Sequence, residues 1–291
     1  MAMTTGSGAE PRMLVADSET HAERKQRREN AGKSAGESFA ATLRQMVPGT
    51  AINIVNPVDP EAPEWSADQL AGYDAIFISG SPIHVYCDTP ETRRQIAFMR
   101  AVFRSRTPSF GSCAGLQVAV AAAGGVVRKM PDRREAGLAR HITATAAGRD
   151  HPLLRGRPAS WDALAIHGDE VERLPNGAVL LASNAATRVQ AAEIRHDGGI
   201  FWGVQYHPEL APGEIAAALR RNASGLVKDG FAQSAGDVES QAALYDALHH
   251  SAEMLSIRWR LGVDDEVALE DRRRTDLRNF IDHLVLTPPK T

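Results

Sequence analysis

Cysteine is almost missing: Cys87 and Cys113 are the only two in 291 residues. A disulfide framework is thereby excluded as the main support of the fold, which must come from a buried core. Long apolar runs are missing as well, and none approaches the ~20 residues of a membrane-spanning helix. The opening Met1-Ala-Met-Thr-Thr-Gly-Ser-Gly has neither the positive segment nor the apolar segment of a secretory leader. Nor does one charge dominate. Lys and Arg number 33 against 36 Asp and Glu, a formal net charge of −3, with the signs well mixed. That balance leaves no electrostatic footprint for nucleic acid or an anionic membrane surface. These absences predict a cytoplasmic protein with neither a nucleic-acid nor a membrane partner. The length suits one large core, or one domain with an appendage.

Residues 1–10 read as a disordered N-terminus. Met13-Leu-Val-Ala16 follows as a first buried strand. The polar stretch from Asp17 to Gly36 contains Glu23-Arg-Lys-Gln-Arg-Arg28, a charge run that reads as a solvated loop or helix face, with a substrate-facing lid as the alternative. Gly32-Lys-Ser34 imitates the end of a phosphate loop, but Arg27 stands where the first glycine belongs and no strand immediately precedes it. Phe39, Leu43, Met46 and Val47 have helical spacing over Ser38 to Val47, which stops at Pro48-Gly49. Ala51 to Val55 reads as a second strand, Trp65 to Leu70 as a short helix, Tyr73 to Ile78 as a third strand and Thr89 to Phe103 as a helix. Strands alternating with helices are the pattern of a doubly wound sheet. The expected fold class is therefore α/β, a mostly parallel sheet flanked by helices. Beyond Gly124-Gly125 the chain becomes richer in strands: Val126 to Lys129, His141 to Thr145, Trp161 to Ile166, Ala178 to Ala182, Gln190 to Ile194 and Ile200 to Tyr206.

Between these halves lies Gly111-Ser-Cys-Ala-Gly115, fed by a short apolar run and followed by helix-forming Leu116 to Ala123. This is the Gly-x-nucleophile-x-Gly elbow with cysteine in the nucleophile's place. A strand that turns straight into a helix strains the nucleophile's backbone, and side chains at the flanking positions would collide. The helix's first free N–H groups and its dipole favour a thiolate at Cys113 and stabilise an oxyanion. Ser79-Gly80-Ser81-Pro82 ends an inner strand, where a parallel sheet exposes backbone N–H groups to ligands. The strand 200–206 runs into His207-Pro-Glu209. Residues two apart on extended backbone share a side, so Glu209 can orient His207 while His207 acts as base toward Cys113. A structural histidine is the plainer alternative. A metal site from His167, Asp169, His207 and Glu209 is a third, and it leaves the elbow unexplained. An α/β-hydrolase carries nucleophile, acid and histidine in that chain order; here the acid follows the histidine.

Four ordered pieces, Ile78-Ser-Gly-Ser-Pro82, Gly111-Ser-Cys-Ala-Gly-Leu-Gln117, Ala165-Ile-His-Gly-Asp-Glu-Val171 and Gly203-Val-Gln-Tyr-His-Pro-Glu209, together resemble a class I (triad-type) glutamine amidotransferase. The likeness covers about residues 12–222 and is similar in feel to the glutaminase part of GMP synthase. It implies that Cys113 attacks the side-chain amide of L-glutamine or a γ-glutamyl compound, forming a γ-glutamyl thioester. His207 would move the proton and Glu209 would fix the ring. The resemblance puts the oxyanion hole at the N–H groups of Gly80 and Ala114. It places Gln117 beside the substrate, and Ile166, His167, Gly168 and Asp169 along the pocket wall. It implies no cofactor and no metal. The chain departs from the family pattern at Ser81, at Ser112 and in the longer polar stretch 17–36, while Cys87 lies outside every motif and reads as structural or incidental.

The resemblance divides the chain into an amidotransferase-like domain over residues 11–228 and a helical C-terminal extension over 229–291. Phe231 to Gly236 reads as a linker. Val238 to Leu261 and Glu266 to Leu286 have helical periodicity. Packing against the domain is the expectation, with a homodimer or partner surface as the alternative, and His249-His250 reads as exposed polar surface. No Ser-Gly-Gly-x-Asp-Ser pyrophosphatase loop occurs in the tail. The leading expectation is a glutaminase that supplies ammonia to a separate synthetase. A γ-glutamyl peptide or amide hydrolase with the same triad is the first alternative, and a non-catalytic binding module is the second.

Overall fold

The computed structural model describes residues 10–131 and 134–286. The N-terminus expected to be disordered therefore lies outside the described residues except for Glu10. Among the described residues eleven strands form: β1 (Arg12–Ala16), β2 (Ala51–Val55), β3 (Ala75–Ile78), β4 (Ser109–Ser112), β5 (Val126–Lys129), β6 (Glu135–Ala144), β7 (Ser160–His167), β8 (Asp169–Arg173), β9 (Val179–Ser183), β10 (Ala191–His196) and β11 (Gly199–Val204). Nine of them make one sheet in the order β2-β1-β3-β4-β11-β10-β9-β6-β7, and β5 and β8 pair separately. The β2-β1-β3-β4-β11 half is parallel. From β11 through β10, β9 and β6 to β7 the pairing is antiparallel.

The inner strands β1, from Met13 to Ala16, and β3 read as unbroken apolar runs because helices cover both faces. Alternation assigns the faces. Met13, Val15, Ala75 and Phe77 point toward Phe39, Leu43 and Phe280. Leu14, Ala16, Ile76 and Ile78 point the other way, toward Phe98, Met99, Val102, Leu116 and Val118. Helix Pro90–Ser105 and helix Ala114–Ala122 supply that second layer. Among the described residues no helix is long and apolar enough to cross a membrane.

The charge run Glu23–Arg28 lies on a helix with Lys25, Gln26 and Arg28 exposed, as a solvated helix face would be, while Arg24 and the preceding Asp17 and Glu19 are buried. Thr20 and Glu23 form a capping box that starts helix His21–Ala31, and Gly32, in the left-handed region at φ 75°, ends it. Ser34 then caps helix Ala35–Met46. The phosphate-loop look-alike is thus a joint between two helices. Asp17 and Glu19 are buried. Asp17 accepts from Ser34 Oγ at 2.6 Å and Gly36 N at 3.0 Å, and Glu19 from Ala35 N at 2.8 Å. Those carboxylates hold the free N–H groups at the start of the second helix, which is where negative charge is favourable.

In the second half, the strand expected from His141 begins at Glu135, and β8 follows β7 after Gly168 alone. The tail is helical and packed, but in shorter pieces than periodicity predicts. Helix Ala235–His250 stops before Ser251, helix Leu255–Leu261 ends at Gly262, and the expected second helix divides into Asp265–Ala268, Glu270–Arg273 and Thr275–Phe280 before a π-turn to Leu286. Arginines satisfy the carbonyls freed by the breaks: Arg273 donates to Val267 and Ala268, and Arg157 to Arg272 and Arg273. Leu244 and Leu248 join a third core cluster with Ile215 and Leu219. Phe280 goes deeper, with ring centroids 5.5 Å from Phe77 and Phe110 and 6.0 Å from Trp202. His249 and His250 are exposed.

Candidate active site

Cys113 sits between β4 and the helix it opens, with φ 52° and ψ −111°. That left-handed conformation is rare for a side chain larger than hydrogen and marks a strained turn. Its neighbours explain the two glycines. A Cβ on Gly115 would run into the backbone carbonyl of Ile78, and one on Gly111 would lie 2.9 Å from the Gly115 carbonyl carbon. The thiol-bearing residue is anchored by its N–H, which donates to Val204 O on β11 at 2.8 Å.

His207 and Glu209 follow β11 in a turn rather than on the extended backbone assumed from sequence, since the strand stops at Val204. The two side chains nevertheless meet: His207 Nδ1 lies 2.8 Å from Glu209 Oε1. The same oxygen accepts from Ser112 Oγ at 2.8 Å, and the Glu209 carbonyl accepts from Thr42 Oγ1 at 3.0 Å. Both triad candidates are buried, and Glu209 Oε2 has no hydrogen-bond partner. Burial by itself pushes the His207 ring toward neutrality. The Glu209 carboxylate, a hydrogen bond with Cys113 and the bond to Glu209 outweigh it and lift the ring to about 10. With Nδ1 donating to the carboxylate, Nε2 is the nitrogen left for proton exchange with Cys113.

Gly80 closes the other side. A Cβ there would lie 2.8 Å from His207 Cε1 and 3.5 Å from Cys113 Cβ, so the Gly80 backbone faces both. Ala114 is the first residue of the elbow helix and is buried. Gln117, one turn on, is also buried, and its Nε2 donates to Asp169 O and to Gln205 Oε1, both at 3.1 Å.

The remaining wall residues separate. His167 turns away, with Nε2 2.8 Å from Glu135 Oε2 and Nδ1 2.9 Å from Asp169 O, so both nitrogens are occupied. Ile166 packs against the third core cluster, and the Gly168 carbonyl accepts from Met130 N. Asp169 has its carboxylate toward His84 and Tyr86. Among the described residues no group of three or more His, Cys, Asp or Glu is placed to hold an ion. Cys87 is a half-buried free thiol in a loop.

Ser112, Thr42, Gln205, His84 and Tyr86 escaped the sequence reading. Ser112 alone left a signal, as a hydroxyl where the elbow strand should carry an apolar side chain. Gln205 lies inside the quoted piece Gly203–Glu209 without having been singled out, and Thr42, His84 and Tyr86 belong to segments with no motif.

Residues 30–224 match the family model described as glutamine amidotransferase class-I. Over 287 residues, 96% of this chain and 95% of the relative, the chain is 36% identical to a gamma-glutamyl-L-1-hydroxyisopropylamide hydrolase from a Pseudomonas species. It is 32% identical over 184 residues to a glutamine-hydrolyzing GMP synthase from Leifsonia xyli subsp. xyli, covering 61% of this chain and 35% of that protein. One subunit of the glutamine-hydrolyzing GMP synthase from Sulfolobus acidocaldarius is 32% identical over 160 residues, 55% of this chain and 80% of its own length. In fold, a glutamine amidotransferase from Thermotoga maritima superposes with a TM-score of 0.66 at 14% identity, covering 96% of this chain and 99% of its own.

Proposed function

The chain belongs to the class I glutamine amidotransferase family, and on that premise we propose that it is a cysteine-dependent γ-glutamyl amide hydrolase. The observation that carries this reading is the reach of the hydrolase match: 96% of the chain, against 61% for the GMP synthase from Leifsonia xyli. The helical tail therefore has a counterpart in an amide hydrolase. Ammonia supply to a separate synthetase, the leading expectation from sequence, becomes the second reading, favoured by the match to the Sulfolobus acidocaldarius GMP synthase subunit.

In the proposed reaction Cys113 Sγ, its proton passed to His207 Nε2, attacks the γ-carbonyl carbon of the substrate, and the carbonyl oxygen becomes an oxyanion facing the N–H groups of Gly80 and Ala114. The C–N bond then breaks, His207 Nε2 gives its proton to the departing amine, and a γ-glutamyl thioester remains on Cys113. Water attacks that thioester, giving its proton to His207, and glutamate leaves as the thiol is restored. Glu209 holds the ring through Nδ1 and stabilises its positive charge, and Ser112 and Thr42 hold Glu209. Glu209 Oε1 takes two donors while Oε2 takes none, so the ring is located by a single oxygen.

The test is the release of glutamate from γ-glutamyl-L-1-hydroxyisopropylamide, a γ-glutamyl dipeptide and L-glutamine by the purified protein, beside Cys113→Ala. Higher kcat/KM on the substituted amides, abolished in the variant, is the expected result. Higher kcat/KM on L-glutamine would return the assignment to ammonia supply.

A further inference from the structure

The helical tail lies outside residues 30–224, the part that matches the family, yet it meets the strands that deliver the site. Gly80 follows β3 after Ser79, Cys113 follows β4 directly, and His207 follows β11 after Gln205 and Tyr206. Phe77 stands three residues before Gly80 and Phe110 three before Cys113, and the two are partners across the sheet. Trp202 is the partner of Phe110 on its other side. One rung of the sheet therefore runs from Phe77 through Phe110 to Trp202, just below the reacting residues. Residues paired across a sheet share a face, and all three rings belong to the same core cluster.

The tail lays a single ring across that rung. Phe280 is fully buried, with its centroid 5.5 Å from Phe77, 5.5 Å from Phe110 and 6.0 Å from Trp202. His283 stacks on Trp202, with 5.6 Å between centroids and 20° between planes. About one turn before Phe280, Asp276 reaches the segment that carries the base: its Oδ2 accepts from Tyr206 Oη at 2.9 Å. Backbone bonds hold the residues on either side of Tyr206, Gln205 N to Gln190 O at 2.9 Å and His207 N to Leu164 O at 2.8 Å. The tail is itself anchored. Asn279 Nδ2 donates to Leu153 O and Arg155 O, both at 2.8 Å, and Arg157 Nη2 donates to Asp276 Oδ2 at 2.7 Å. Tyr206 and Asp276 are both fully buried. A buried carboxylate is costly, and an apolar pair would cover the sheet without it. What the hydrogen bond adds is a fixed distance and direction, where apolar contact tolerates slip.

We propose that the C-terminal tail is part of the catalytic apparatus: Phe280 sets the relative height of the strands carrying Gly80, Cys113 and His207, and Asp276, through Tyr206, sets the place of His207. Phe280, Asp276 and Tyr206 are positioning residues that act through the reacting groups. The proposal rests on the reading of Cys113 as the nucleophile and His207 as its base. The chemistry makes such support consequential, because a misplacement of about 1 Å costs on the order of 100-fold.

The experiment separates position from stability. Tyr206→Phe removes one oxygen and leaves Arg157 on Asp276, and Phe280→Leu keeps its site apolar. Both are compared with the wild type on γ-glutamyl ethylamide, well below each protein's melting temperature. Leu261→Ala is the control, since its core cluster contains none of Phe77, Phe110, Trp202 and Tyr206. In Tyr206→Phe and Phe280→Leu, kcat should fall by about 5- to 50-fold with KM within twofold of the wild type. The alkaline limb of kcat/KM should also move toward neutrality in Tyr206→Phe, as the imidazole loses its fixed place against Glu209. Leu261→Ala should melt lower and keep its kcat within twofold. A kcat within threefold of the wild type in either folded variant would overturn the proposal, as would a rise in KM alone. An equal loss of kcat in Leu261→Ala would overturn it too, because the loss would then follow stability. If Phe280→Leu does not fold, Tyr206→Phe decides. A second measurement needs no turnover: the rate at which iodoacetamide alkylates Cys113 at neutral pH, read by mass spectrometry so that Cys87 is not counted. At least threefold slower alkylation in the folded variants supports the positioning, and an unchanged rate overturns it. Should the wild type cleave no amide, the hydrolase reading fails while the alkylation rates still decide the role of the tail.

Discussion

Replacing Gly80 by alanine tests how tightly the site is built. The added Cβ would lie 2.8 Å from His207 Cε1, where ordinary van der Waals contact begins near 3.4 Å. The imidazole, pinned by Glu209 at Nδ1, or the Gly80 loop must therefore give way by roughly 0.6 Å, and Cys113 Cβ at 3.5 Å blocks retreat on its side. A misplacement of about 1 Å in a reacting group costs on the order of 100-fold, so 0.6 Å is worth roughly 10- to 100-fold in kcat/KM, or about 1.4–2.7 kcal/mol in the barrier. The fold should lose about 0–2.6 kcal/mol, a cost the thermal melt reads separately from the rate. Gly80 is not among the positive-φ residues, so alanine gains about 0.4–1 kcal/mol from the unfolded chain against about 1–3 kcal/mol of local overpacking. The assay is kcat/KM on the better γ-glutamyl substrate, together with the rate of Cys113 alkylation and a thermal melt. A folded Gly80→Ala protein within threefold of the wild type would refute the reasoning, because His207, Cys113 and Gly80 would then not share one crowded volume during the reaction.

Two further outcomes follow from the electrostatics. The His207 ring is raised to about 10, above the ordinary histidine value of 6.5, and it must be protonated to release the amine, so kcat/KM should fall along an alkaline limb near that value. Its contribution to stability is complete below the unfolded value and is lost as pH rises from about 6.5 through about 10. Glu209→Gln removes the attraction that raises the ring. The limb should then move toward neutrality and the melting temperature should depend less on pH over that window; an unmoved limb would count against Glu209 as the ring's partner. In the tail, Asp276 is fully buried and takes Arg157 Nη2 at 2.7 Å and Tyr206 Oη at 2.9 Å. Asp276→Ala leaves Arg157, itself 2% exposed at the side chain, with Glu266 as its remaining acid at 2.6 Å. Because one acid remains, the cost should lie near the lower end of the range for a broken buried pair, about 3 kcal/mol, which lowers the melting temperature by about 6–12 °C. A change below 2 °C by differential scanning calorimetry would show that the Asp276–Arg157 pair contributes little.

The features that depend on local pattern were legible before any contact was known. Unbroken apolar runs marked β1 and β3 because both sheet faces are covered, and the two glycines around Cys113 marked the elbow because no Cβ fits at Gly111 or Gly115. His207 and Glu209 were legible because two residues of separation let the side chains meet even in a turn. Only the tertiary structure decided which polar groups are buried, since a polar residue declares its burial through its partner and not through its neighbours in sequence. Ser112 and Glu209 are 97 positions apart and touch because β11 lies beside β4. Thr42 reaches Glu209 across 167 positions. The burial of Asp17 and Glu19 was illegible for the same reason, their acceptors being matched to Ser34 Oγ and the helix N–H groups of Ala35 and Gly36. The tail's periodicity was legible and its breaks were not. Those breaks depend on Arg157 and Arg273 reaching carbonyls that a continuous helix would have kept for itself.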